Sequence, residues 1–211
     1  PTILLIIANI FGDAWQMSSV EERDPIARQK FFSNISNMYV SIAFLVGSFL
    51  TVFAKVITTL LASPDYYSAW TYMPILNMAT TFACLSNFLG SVYMVEKRSI
   101  STFFNILIGA VLNIAMNFWL IPIYGAQGAA FATFSSYFVM FLIKIVHTRK
   151  YVKIKWNFLK LFTNSVIMAM LCVVMLAQKA HWILFASLFL LCALMMNVSD
   201  LLVGLKKLFK R

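Results

Sequence analysis

The chain has 211 residues, 62% hydrophobic and only 11% charged, with a mean hydropathy of +0.85 and a formal net charge of +10. Soluble domains carry about 25% charged residues, so this chain has too little polar surface to cover one, and its composition is that of an integral membrane protein. A charge of +10 could suit nucleic acid, but the positive residues sit in short clusters between apolar stretches, where they orient a chain in a bilayer.

A helix needs about 20 apolar residues to cross the hydrocarbon core. Seven segments meet that length, at about 2–20, 34–61, 69–95, 101–121, 126–147, 158–177 and 181–204. They predict an all-α polytopic bundle, residues 1–211 forming a single transmembrane domain, with short connections that make sequence neighbours antiparallel. The first segment follows Pro1 directly. It has neither a basic leader nor a small-residue cleavage site, so it is not a signal peptide. Its abrupt start predicts that the chain is the C-terminal part of a longer protein.

In that first span Asn9, Asp13 and Gln16 stand at i, i+4 and i+7, which puts them on one helix face. A charge at a helix centre costs roughly 2.5–3.5 kcal/mol on insertion scales, so intramembrane acids usually face a bundle interior or a watery cavity. Asp13 is therefore either a cavity carboxylate that binds H⁺ or Na⁺, or a structural acid that is protonated or paired. Arg23 and Arg28 follow, mixed with Glu21, Glu22 and Asp24, at one mouth of the bundle. They could meet an anionic group there or be solvated loop charges.

Lys55, near the end of the second span, either snorkels to the interface or faces inward as a cation that attracts an anionic group. Tyr66, Tyr67, Trp70 and Tyr72 cluster before the third span as interfacial aromatics do. Asn77, Ser86 and Asn87 lie within the third span, and Asn105, Asn113 and Asn117 share one side of the fourth with Gly109. Buried amides of this kind hydrogen-bond between helices or contact a polar ligand. Gly125/Ala129 and Gly128/Ala132 give the small-xxx-small spacing of close helix packing. Cys84, Cys172 and Cys192 stand alone in apolar spans and read as buried thiols. Asp200 is near the inner end of the last span, within reach of Lys206 and Lys207, and is assigned no transport role.

Fifteen of the seventeen Lys and Arg fall on one side of these spans: after the first, third, fifth and seventh. Lys55 and Lys179 are the exceptions. This bias predicts an outside start and a cytoplasmic C-terminus. The densest basic run, TRKYVKIKWNFLK at 148–160, reads as an orientation signal lying on anionic head groups, or more sharply as a grip on a lipid phosphate.

Three stretches carry a family likeness: Ala14-Trp15-Gln16-Met17-Ser18-Ser19-Val20-Glu21-Glu22, the run from Tyr66 through Ala69-Trp70 to Leu76, and the hairpin GAVLNIAMNFWLIPIYGAQGAAFAT from Gly109 to Thr133. In their order and spacing the chain resembles the C-terminal half of the polysaccharide flippases, the Wzx-type exporters of O-antigen and capsule repeat units within the MATE/MOP superfamily. The resemblance covers almost the whole chain and implies the C-terminal lobe of a MATE-like flippase. Its implied substrate is an undecaprenyl-diphosphate-linked oligosaccharide, moved by alternating access across the bacterial inner membrane for lipopolysaccharide or other surface polysaccharide. The implied partners are that lipid-linked substrate, the N-terminal lobe of the same protein and the bilayer, with no nucleic acid. Asp13 has no counterpart in the family pattern.

No nucleophile–base pair, phosphate-cradling glycine loop or metal cluster is present in the sequence. The expectation is therefore a transporter with no enzymatic activity and no cofactor beyond possible H⁺ or Na⁺ coupling. The candidate transport residues are Asn9, Asp13, Gln16, Lys55, Asn77, Asn113 and Asn117, with Arg23 and Arg28 at the cytoplasmic mouth. The principal alternative is a cation-coupled MATE-type exporter of small molecules. A seven-span receptor and a structural membrane subunit are more distant ones.

Overall fold

The computed structural model describes residues 2–6, 25–179 and 181–208; these are helical with short connections, and no strand occurs among them. After a helical stretch at 2–6 come α1 (Pro25–Val52), α2 (Ala54–Leu61), a 3-10 helix (Pro64–Tyr72), α3 (Met73–Val95), α4 (Ser99–Thr148), α5 (Phe158–Ala177) and α6 (Trp182–Leu208). Among the described residues, five helical stretches are long and apolar enough to cross a bilayer: Phe32–Val52, Pro64–Val95, Ser99–Thr148, Phe158–Ala177 and Trp182–Asp200. In hydrocarbon the backbone has no water to bond, so a chain this apolar satisfies its amides within helices.

The first predicted span, 2–20, lies outside the described residues beyond residue 6, and the others differ from these elements in two places. The second, 34–61, is divided at Phe53, whose φ of −87° and ψ of 10° leave the helical region. The bend is local, because Phe53 N–H still bonds Phe49 O at 3.0 Å and Ile57 N–H bonds Phe53 O at 2.9 Å. The fourth and fifth spans join into the 50-residue α4. That helix is no straight rod. Gly125 has φ 55° and ψ −135°, a conformation open essentially only to glycine, and the chain reverses there.

Gly128 then lies against the backbone carbonyl of Leu120, and Gly109 against Met140. Asn105 Nδ2 donates to Met140 O at 3.3 Å, although 105 and 140 would stand about 50 Å apart along a straight helix. The two limbs, 99–124 and 126–148, are thus antiparallel, as the short connection predicts, and closely packed, as the small-residue spacing predicts.

α3 is buried along nearly its whole length. It packs on α4 and α1, with a smaller contact to α5, while α1 also meets α5 and α6, and those two pack on each other. The core is aromatic. The rings of Phe44, Phe134, Phe138 and Phe141 surround Phe82 at centroid distances of 5.0–6.0 Å, contacts each worth about 0.5–1.5 kcal/mol beyond area burial. The exterior is apolar too. Phe118 is 84% exposed on the first limb of α4 and Met195 75% exposed on α6, as lipid-facing helices require. Cys84 and Cys172 are buried, but Cys192 is exposed on α6 and is not the buried thiol expected.

A methyl group on Gly128 would collide with the Leu120 backbone, which cannot swing aside. Gly128→Ala should therefore cost about 1–3 kcal/mol, read as a lower thermal midpoint of the purified protein in detergent. Gly125→Ala should cost a similar amount through backbone strain alone.

Candidate functional site

Polar side chains inside this bundle concentrate on one face of α1 and its continuation. Ser41, Ser48, Thr51 and Lys55 are spaced i, i+7, i+10 and i+14, which keeps them on one side of the helix. The first three are buried; α3 supplies a partner for Thr51, and α5 and α6 supply partners for Ser41. The result is a polar seam running from one end of the bundle to the other.

At the predicted outer end, the Lys55 ammonium stands 4.5 Å from the centroid of Trp70 and 4.6 Å from that of Trp182. Cation–π attraction is worth about 0.5–1 kcal/mol at exposed sites and more when water is excluded. The two rings come from the 3-10 helix and the first residue of α6, so this one cation ties three elements together. One turn inward, Asn77 Nδ2 donates to Thr51 Oγ1 at 3.3 Å. Asn77 is wholly buried and its Oδ1 accepts no hydrogen bond. Next along the seam is Gly47, where a Cβ would lie 2.5 Å from Thr81 Oγ1 and 2.9 Å from Met168 Cε. Only a glycine lets α1, α3 and α5 approach this closely.

The inner end holds charges. Lys160 of α5 and Asp200 of α6 form an ion pair. Lys160 Nζ also donates to Ser41 Oγ at 2.9 Å. The Ser41 hydroxyl lies 3.2 Å from Asp200 Oδ2 and 3.0 Å from Asn37 O, and can donate to one of them at a time. One turn deeper, Asn164 and Asn197 exchange hydrogen bonds of 3.2 and 2.7 Å. The two pairs form consecutive rungs between α5 and α6, and the ion pair extends to α1 through Ser41.

A second buried cation lies off the seam. Lys144, on the second limb of α4, is 3% exposed and donates to Ser86 O at 3.0 Å. Its ammonium occupies the space left by Gly90, 3.4 Å from where a Cβ would be. Ser86 Oγ is buried without a hydrogen-bond partner. The sequence pattern counts Lys144 as a loop charge; the structure places it inside the bundle, one turn before the end of α4.

Among the candidate residues, Lys55 and Asn77 fall on the seam. Asn113 and Asn117 do not. They are half-buried on the first limb of α4, and Asn117 Nδ2 donates to Asn113 Oδ1 at 2.9 Å, within the same helix. Asn9, Asp13, Gln16 and Arg23 lie outside the described residues, and Arg28 is in the first turn of α1. Lys160, Asp200, Asn164 and Asn197 were not among the candidates. Their i, i+4 and i, i+3 spacings were the available signal, but it becomes interpretable only when the two helices are seen to face each other. An apolar recess of about 390 Å³ near the hairpin apex, lined by Ile75, Leu120, Tyr124, Gln127, Gly128 and Phe131, is separate from these charges.

Comparisons with protein-family models, with curated proteins and with solved structures find no match. The chemistry of the site therefore rests on the bundle itself. What the seam offers is an ion pair and an amide pair between α5 and α6, and a cation held by two indoles.

Removing one member of the Lys160–Asp200 pair should destabilise more than removing both. Lys160→Met or Asp200→Asn alone should each cost roughly 1–3 kcal/mol, below the 3–5 kcal/mol of a fully buried pair because Asp200 is one-third exposed. The double variant should lose less than the sum, which a double-mutant cycle of unfolding in detergent measures. Lys144→Met, which keeps the stem and removes an ammonium with no carboxylate partner, should leave the thermal midpoint unchanged or raised. Lys144→Ala should destabilise the protein by about 2 kcal/mol through the cavity left behind, read as a lower midpoint.

Proposed function

We propose that this chain is the C-terminal lobe of a bacterial inner-membrane flippase that moves undecaprenyl-diphosphate-linked oligosaccharide to the outer leaflet by alternating access. The lobe would hold seven transmembrane helices, the first at about 2–20, with its C-terminus in the cytoplasm. The single observation that supports this most is the Ser99–Thr148 hairpin. The segment that carries the family likeness is folded into two apolar antiparallel limbs, turned at Gly125 and held by small residues. Amphipathic cargo with a polar head and a long lipid tail needs a polar path bounded by lipid-facing helices, and the exposed apolar residues of α4 and α6 would supply such a boundary.

In this mechanism the head group travels along the polar face between the lobes while the tail stays in the bilayer. Lys55, held between two indoles, is the cation that meets the diphosphate on the outer side. Asn77, wholly buried and bonded to Thr51, fixes α1 against α3 and does not touch the head group. Asp13 is the first candidate for H⁺ or Na⁺ coupling. The protein performs no covalent chemistry. Cation-coupled export of small molecules by the same architecture is the competing function, and an acid-lined path would favour it over a lysine-bearing one.

The test is complementation with the full-length protein in bacteria that lack their own lipid-linked oligosaccharide flippase. Surface polysaccharide should return, and Lys55→Gln should reduce it tenfold or more at equal protein level. Correctly inserted protein that restores no polysaccharide but lowers the accumulation of a cationic dye would overturn the flippase function in favour of the exporter. Full export by an Asp13→Asn variant would remove Asp13 from the coupling.

A further inference from the structure

The connection between α4 and α5 is an extended strap. Its residues alternate: Val152 and Ile154 are buried, Trp156 is half-buried, and Lys153 and Lys155 are exposed. The apolar members anchor it. Val152 and Ile154 belong to the main core cluster, and the Trp156 ring meets Phe88 and Phe141 edge-on at 6.3 and 6.0 Å. The backbone is fixed as well, since Lys155 N–H donates to Ser33 Oγ at 3.0 Å and Val152 N–H to Thr148 O at 3.0 Å. The lysines are thus displayed on a clamped backbone.

More cations converge on the strap. Arg98, from the turn between α3 and α4, stands over the Tyr151 ring at 5.4 Å, and Arg149 over Phe158 at the same distance. With Lys97, Lys150, Lys153 and Lys155 they make six exposed positive side chains, and none is ion-paired among the described residues. The nearby acid of the α3–α4 turn, Glu96, is half-buried and engaged elsewhere. Directly beside the cations the surface becomes apolar, with Val146 68% and Leu159 75% exposed. A ring of unpaired cations bordering lipid-facing residues lies at the depth of the head groups.

We propose that this strap is a preformed binding site for the phosphate head groups of anionic lipids in the leaflet that borders it. Its clamped backbone holds Lys150, Lys153 and Lys155 with Arg98 and Arg149 around one anionic lipid, beyond the diffuse attraction of a basic loop. The site depends only on membrane insertion and not on the transport function above.

The experiment titrates the purified full chain, in neutral detergent, with phosphatidylglycerol, phosphatidylcholine or inorganic phosphate, and reads bound lipid by native mass spectrometry. Phosphatidylglycerol should bind at least tenfold more tightly than phosphatidylcholine and weaken in about 0.5 M salt. The triple variant Lys150→Gln, Lys153→Gln, Lys155→Gln should lose affinity on the order of a hundredfold, with helical content by circular dichroism unchanged because all three side chains are exposed. A control with the same charge change in the tail, Lys206→Gln, Lys207→Gln, Lys210→Gln, should lose far less. Any of three results would overturn the proposal: equal binding of the two lipids, equal losses in strap and tail variants, or displacement of the lipid by inorganic phosphate at matching concentration.

Discussion

A helix surrounded by hydrocarbon gains nothing by hiding leucine from its solvent, so the helices of this chain must be held together by something else. Three devices do so. Close approach is one, at Gly47 between Thr81 and Met168 and at Gly128 on the Leu120 backbone. Aromatic interlocking around Phe82 is another. The third is polar pairing that would be costly to break, in the Lys160–Asp200 and Asn164–Asn197 rungs. The first two set distance. The third sets register, because an amide or an ammonium one turn out of place would be left unpaired in a medium that offers no substitute.

Register explains why the seam lies where it does. α1 is the element that touches α3, α5 and α6, so a polar face on it can reach partners on three sides. At the outer end the partner for charge is aromatic, and at the inner end it is a carboxylate. A cation held only by ring faces keeps its hydrogen-bond donors free, whereas one bonded to Asp200 and Ser41 has used two of its three. The two ends of the same polar face thus differ in chemistry.

Much of this architecture is legible without coordinates because the bilayer imposes length and polarity on each span. The limits of the spans at 158–177 and the hairpin through Gly125 follow from apolar run length and small-residue spacing. The bend at Phe53 carries no Pro or Gly and leaves no mark in the sequence. Charge counting misjudged Lys144, since a lysine near a span end reads the same whether it snorkels outward or turns inward onto Gly90; only the facing helix decides. Asp200 illustrates the same limit. Its near neighbours in sequence, Lys206 and Lys207, suggested a local partner, while the actual one, Lys160, is forty residues away on another helix. Asn113 and Asn117, aligned with Asn105, suggested a common role, yet Asn105 bonds across the hairpin and the other two bond each other.

The first limb of α4 is exposed along most of its length and is attached chiefly through its partner limb. A helix held along one edge by glycine and amide contacts can tilt about that edge without disturbing the aromatic core behind it. In a bilayer whose thickness differs from the span of the bundle, the mismatch is most cheaply absorbed there. The hairpin thus gives the fold a compliant side facing lipid, while the charged rungs on α5 and α6 keep the opposite side stiff.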